Sequence, residues 1–255
     1  GNRGHGQRDD VVANPGADVG TLDHGTTTYG TGNANTTMEG GLIHEAYGGS
    51  NQYGKIIGKV NINTDPKDES EEGYCALDVQ KLVGAGKNAD VDGDLIMILG
   101  CKPSTKTPLV FAGADNADVN GNVELTITSG TFGQVFGCNN LGGHIKGHIK
   151  LNIEETECNP IVIDELYLGG NTAAYTRYGY YLDASDNKVK PRTAAMSDPQ
   201  AEGYKEAVAG RISVPYDEPE LNIISCTSIG KVFGGGLGVE AEMNADPTGN
   251  INMIT

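Results

Sequence analysis

The chain has 255 residues, enough for one large domain or two small ones and a sizeable core. Glycine supplies 38 of them, tryptophan none, and only 37% are hydrophobic, which excludes a helical bundle; the glycines also lack collagen's strict third-residue period. With 34 acidic against 18 basic residues the net charge is −16, a field that repels phosphate backbones and anionic lipid, and no apolar run is long enough to insert in a bilayer.

The chain opens GNRGHGQRDD, with no signal-peptide pattern, and reads as a mature or excised segment of a larger chain. Residues 1–24, rich in Gly, Asp and Asn, read as a leader or linker. From residue 25 a bipartite unit recurs. Its first half is a short strand ending in a glycine turn. It is faint in TYGTGN (28–33), then clear in AYGGSN (46–51), VFAGADN (110–116), VFGCNN (135–140), LYLGGN (166–171) and VFGGGL (232–237). Its second half alternates apolar and polar residues around a glycine, at Ile56–Ile62, Val91–Met97, Val119–Leu125, Ile145–Leu151 and Val208–Val214. Gly249–Met253 is a copy lacking the leading apolar residue. Two stretches, 82–99 and 110–127, align without a gap at an offset of 28 and share N-A-D-V-x-G-x.

Period-two alternation predicts strands with one apolar face, and Gly and Asn suit turns that need positive φ. A unit of this size cannot bury its apolar face alone, so successive units must stack. The expected fold is all-β, a parallel β-solenoid, right-handed by the usual crossover preference. The rival, an antiparallel sandwich, has no reason to repeat residue types at one position. Val83, Phe111, Phe136, Tyr167 and Phe233 should stack and be buried. Two insertions break the rhythm, an acidic one at 64–81 and a longer one at 172–207, and inserted loops are often functional. A chain ending at INMIT, in mid-strand, is expected to continue in the parent protein.

The segments TSIGKVFGGGLG (227–238), SGTFGQVFGCNN (129–140) and GGLIHEAYGGSN (40–51) resemble the repeats of large adhesin-like surface proteins of Bacteroidetes. The resemblance spans roughly residues 25–255. It implies export, cell-surface display and a β-helical stalk or binding surface, and it brings no catalytic signature.

Candidate chemistry is sparse. His144 and His148 fall four apart, which would chelate zinc on a helix, but this segment reads as a strand, where four residues span about 13 Å. Asp90 and Asp92 in NADVDGD, with Asp118 in the second copy, are the candidate calcium ligands. Stacking puts Asp90 and Asp118 about 5 Å apart, where they must splay into water or share a cation. The plainer reading is that these residues only make turns. Of five cysteines, Cys75, Cys101, Cys158 and Cys226 fall at nearly equivalent corners, as a ladder of small buried side chains or as the disulfides Cys75–Cys101 and Cys158–Cys226; Cys138 is expected free.

The tyrosine-rich insertion is the candidate binding site. Tyr175, Tyr178, Tyr180 and Tyr181 cluster with Arg177, and Lys188, Lys190 and Arg192 make a basic island suited to an anionic glycan. The same rings would equally pack the loop onto the solenoid. The expected function is therefore non-enzymatic, adhesion or scaffolding outside the cell, with a glycan or a host or cell-surface protein as partner and no cofactor. The alternative is a polysaccharide-active β-helix lyase or hydrolase.

Overall fold

The computed structural model describes residues 23–24, 27–28, 32–54, 56–100, 105–156, 160–173, 180–183, 189–191, 211–214 and 219–238. Among them the secondary structure is all β: β1 (Asp23–His24), β2 (Thr27–Thr28), β3 (Ala34–Met38), β4 (Gly41–Ile43), β5 (Ala46–Tyr47), β6 (Val60–Thr64), β7 (Leu77–Val79), β8 (Lys81–Val83), β9 (Leu95–Leu99), β10 (Thr107–Phe111), β11 (Val123–Ile127), β12 (Gly130–Phe136), β13 (Ile149–Glu154), β14 (Ile161–Tyr167), β15 (Tyr180–Asp183), β16 (Val189–Pro191), β17 (Arg211–Val214), β18 (Glu220–Ser225) and β19 (Ser228–Phe233).

Two six-stranded sheets carry the structure. In the first, β3, β6, β9, β11, β13 and β18 lie side by side, all neighbours parallel. In the second the order is β5, β8, β10, β12, β14 and β19, again all parallel. A third ladder is made of single parallel bridges joining Ile56, Val91, Val119 and Ile145 in turn. From Ile56 to Tyr167 the chain visits these three in a fixed cyclic order: bridge, first sheet, second sheet, then the bridge one layer on.

Each second-half copy from Ile56 to Leu151 thus supplies a bridge residue and a strand of the first sheet. Register places like on like. Ile62, Met97, Leu125 and Leu151 form one buried row, and Val60, Leu95, Val123 and Ile149 another. Leu82, Val110, Val135 and Leu166 come inward from the second sheet into the same cluster. Burying a side chain of this size is worth about 1.5–3 kcal/mol, so these rows supply the main driving force.

The glycines of the second-half motif serve close approach, not positive φ. Gly58, Gly93, Gly121 and Gly147 are absent from the positive-φ residues, and a β-carbon on Gly121 would strike the carbonyl oxygen of Gly93, one on Gly147 that of Gly121. The turn glycines Gly84 and Gly137 likewise have ordinary φ, contrary to the expectation from turn chemistry, and are hemmed in by the next layer's backbone.

Polar residues of the shared motif stack as well. Asp118 N–H donates to Asp90 Oδ1 at 3.0 Å, and His144 N–H to Asp118 Oδ1 at 2.9 Å. Asn122 N–H donates to Asp94 Oδ1 at 3.0 Å, and His148 N–H to Asn122 Oδ1 at 2.8 Å. Asn120 Nδ2 reaches Asp92 Oδ1 at 2.5 Å, and Lys146 Nζ reaches Asn120 Oδ1 at 2.6 Å. Each short polar side chain satisfies a backbone or side-chain donor of the next layer, which is why Asn and Asp persist there.

The aromatic anchors stack, but outside the main core. Val83, Phe111, Phe136 and Tyr167 form a separate buried cluster, on residues adjacent to the inward row Leu82–Val110–Val135–Leu166. Their rings lie 4.9 Å (Phe111–Phe136) and 4.7 Å (Phe136–Tyr167) apart, within 12° of parallel. Phe233 continues the column at 4.7 Å but is 40% exposed, because β19 is the outer strand of its sheet.

Four expectations need correction. The acidic insertion is shorter than 64–81: its last residues form β7, paired with β4, and β8. In the faint copy at 28–33, Thr28 belongs to β2, which pairs antiparallel with β1. In Val208–Val214 the described residues Arg211–Val214 pair antiparallel with β15, so the motif's alternation serves a different sheet. Cys75, Cys138 and Cys226 are free thiols, Cys75 exposed and Cys226 half-buried, so neither expected disulfide forms, and those two do not make a buried ladder; Cys101 and Cys158 lie outside the described residues.

The close approach of the glycine column makes a direct prediction. Gly121→Val should lower unfolding free energy by about 1–3 kcal/mol through overpacking, while Gly234→Ala, with nothing within 4 Å of the new methyl, should stay within about 0.5 kcal/mol. Urea melts of the two variants check this, and equal effects would refute it.

Candidate functional site

The outer face of the second sheet carries the most developed polar cluster. Two residues before each anchor, register aligns Lys81, Leu109, Gln134, Glu165 and Lys231 in one row. Just before that row the alternation breaks. Ile163 and Leu166 are buried while Asp164 is exposed and Glu165 half-buried, two outward positions in succession that period two does not allow without a local bend. At the same level Gly133 and Gly230 bring backbones together: a β-carbon on Gly133 would meet the Pro108 carbonyl oxygen, and one on Gly230 that of Asp164. The result is an open groove lined by Gly133, Gln134, Asp164, Glu165, Gly230 and Lys231.

Glu165 is the hub. Its Oε1 accepts from Lys231 Nζ at 2.8 Å, and its Oε2 accepts from Gln134 Nε2 and the Tyr167 hydroxyl, each at 2.8 Å. The Lys231 ammonium, then Gln134, then Tyr167 hold its carboxyl well below the usual range, at about 2. In return burial and Glu165 push the Tyr167 phenol up. Asp164 pairs with Lys106 across the groove's edge.

A second cluster lies at the other end of the row. Lys81 Nζ sits 2.8 Å from Asp115 Oδ1, both side chains largely buried, and Asn140 Nδ2 donates to the same oxygen at 2.6 Å. The ammonium also lies 5.5 Å and 5.8 Å from the ring centroids of Tyr47 and Phe111. Burial works against the charged lysine, but Asp115 and the Tyr47 hydroxyl outweigh it and its pKa rises.

The calcium candidates are engaged in the stack. Asp90 and Asp92 accept from Asp118 N–H and Asn120 Nδ2, and Asp118 Oδ2 lies 3.0 Å from Lys146 Nζ. Burial raises the Asp118 carboxyl, yet the His144 N–H and Lys146 outweigh it and the net shift is downward. Among the described residues no three His, Cys, Asp or Glu side chains gather as a metal group. His148 Nε2 lies 3.6 Å from Glu220 Oε1. The Cys138 thiol, bonded to the Leu168 carbonyl oxygen at 3.4 Å, is pushed far up by burial and is a poor nucleophile.

From residue 176 onward the long insertion belongs to a second compact unit, residues 176–218, while Thr172 and Ala173 donate to the Asn140 carbonyl oxygen. Its described part is a three-stranded antiparallel sheet with β15 between β16 and β17. Tyr181 stands opposite Lys190 on one side and Ser213 on the other; Tyr180 stands opposite Pro191 and Val214. Thus Tyr181 and Lys190 are brought together. Tyr175, Arg177, Tyr178, Lys188 and Arg192 lie outside the described residues.

The groove and the Lys81 cluster were not anticipated from sequence. A signal was present: KLV, LVF, QVF, ELY and KVF place one variable residue two before each anchor, and only strand register shows that these residues are neighbours.

Glu165 generates a pH prediction. A carboxyl whose folded pKa is depressed stabilises the fold above its unfolded value and loses that contribution as pH falls through the folded one. Stability should therefore decline from about pH 4.5 toward about pH 2, and Glu165→Gln should flatten part of that decline. Urea midpoints across this window test it; an unchanged pH profile would refute the role. Comparisons of the chain with protein-family models, curated proteins and solved structures return no match.

Proposed function

We propose that the chain is a right-handed parallel β-solenoid segment, displayed outside the cell, that works without catalysis in adhesion or as a scaffold. Parallel ladders visited in fixed cyclic order, each layer offering the next the same residue types, support the solenoid. So does the one-sided burial of the first sheet, since parallel sheets of crossover folds are covered on both faces. The resemblance to adhesin-like Bacteroidetes repeats supports the surface role. The carrying observation is how the charged groups are used. Lys81, Asp115, Asp118, Lys146, Glu165 and Lys231 are committed to bonds between or within layers.

In this reading the unit at 176–218 carries the ligand site. Strand register pairs Tyr181 with Lys190, and an aromatic residue paired with a basic one suits an anionic glycan. Tyr175, Arg177, Tyr178, Tyr180, Lys188 and Arg192 complete the proposed site. The aspartates at 90, 92 and 118 serve the stack, and a chelator should leave the melting temperature unchanged.

The second reading, a polysaccharide-active enzyme, draws on the groove with Asp164, Glu165 and Lys231. Glu165 speaks against it: a carboxyl at about 2 is a weak base and no acid near neutrality.

A glycan array of acidic and neutral oligosaccharides tests the binding role. Tyr181→Ala and Lys190→Ala should each weaken the captured glycan about tenfold or more, equivalent to about 1.4 kcal/mol, with little change in melting temperature. Binding unmoved by both variants would overturn the site. Release of new reducing ends from an acidic polysaccharide, abolished by Glu165→Gln, would favour the enzyme.

A further inference from the structure

The outer strands β18 and β19 present an apolar face with no neighbouring strand among the described residues. Leu151, Ile153 and Leu166 are fully buried, whereas their register partners one layer on are not. Leu221 is half-buried, Ile223 is 42% exposed and Val232 is 46% exposed. The corner after β19 is open too. A β-carbon on Gly234 would meet nothing within 4 Å, while one on Gly84 or Gly137 would strike a carbonyl oxygen of the next layer.

The opposite outer strands, β3 and β5, are the counterpart. Thr36 stands in the row of Leu221 yet is exposed, and Ala46, in the row of Val232, is half-buried. Every strand of the two sheets runs parallel to its neighbours, so each layer repeats the one before it. One outer edge therefore offers the backbone donors and acceptors that the other outer edge lacks. A second copy of the chain supplies that edge with its register already matched.

The side chains match as well. Carrying the rows across such a join sets Phe233 on Tyr47, which extends the column of rings. It sets the longer Leu221 and Val232 on the shorter Thr36 and Ala46, and Ile223 on Met38. Charge agrees. Lys231 stands two residues before Phe233, and Glu45 two before Tyr47, so an exposed ammonium comes level with a half-exposed carboxylate. Joining two like ends keeps none of these pairs.

We propose that the chain assembles end to end with copies of itself, β18 and β19 of one copy pairing in parallel with β3 and β5 of the next. The contact is heterologous, so every added copy leaves a free edge of each kind and growth continues. This goes beyond adhesion or scaffolding by a single chain and needs no ligand on the 176–218 unit.

Sedimentation of the full chain tests this. The mean mass of the wild type should rise with concentration between about 1 and about 500 µM and pass that of a dimer. Val232→Asp on one edge and Thr36→Asp on the other should each hold the chain monomeric over the same range. An equal mixture of the two variants should stop at dimers, because only one intact edge of each kind remains. A wild type that stays monomeric throughout would overturn the proposal. So would growth that ends at the dimer, a Thr36→Asp chain that assembles like the wild type, or a mixture that does not pair. Thr36 is exposed, so its variant and the wild type still decide the matter if Val232→Asp fails to fold.

Discussion

Everything in the described repeat region depends on parallel layers stacking at the spacing of adjacent strands, close to 4.8 Å, with backbone nearly touching backbone at the corners. The column Gly58–Gly93–Gly121–Gly147 is the plainest expression of this. A β-carbon at these glycines would strike the backbone one layer below, so the chain must be glycine there even though φ is ordinary. The polar backbone groups at these corners, though partly open to solvent, find partners within the stack. The Asp and Asn side chains beside the glycines are those partners, each meeting an N–H or amide of the next layer.

The same constraint shapes the second sheet. Rings at one register position face each other at the strand spacing, which gives the near-parallel column Phe111–Phe136–Tyr167–Phe233. Each such pair adds about 0.5–1.5 kcal/mol beyond area burial. The charged row two residues earlier obeys it too. Like charges at one position would repel along the whole sheet; the chain instead alternates Lys81, Leu109, Gln134, Glu165 and Lys231, so that Glu165 lies between a donor amide and an ammonium. Its depressed pKa is a consequence of stacking, and it links the groove's electrostatics directly to the layer architecture.

Residues at the site divide by how they are held. Those on the sheets, such as Glu165 and Lys231, are set by register and bound to neighbours. Those on the 176–218 unit belong to an antiparallel sheet of its own.

The all-β class, the parallel stacking and the positions of most first-half and second-half strands were legible in the sequence, because period-two alternation and a repeated N-A-D-V-x-G-x directly encode strand faces and corners. The reason for the glycines was not legible, since close approach and positive φ demand the same residue. Nor was the separate aromatic column: Leu82–Val83 and Val110–Phe111 are adjacent apolar pairs, and sequence alone does not say which member faces the core. Val208–Val214 shows the limit most clearly. Its pattern matches the repeat, yet its described residues pair antiparallel with Tyr180–Asp183, because alternation specifies a strand's faces and not its partner. Likewise Gln134, Glu165 and Tyr167 became one hydrogen-bonded cluster only through register. Which side chains recur was determined by the sequence; which of them touch was decided by tertiary structure, because contacts across layers depend on pairing between segments 25 or more residues apart.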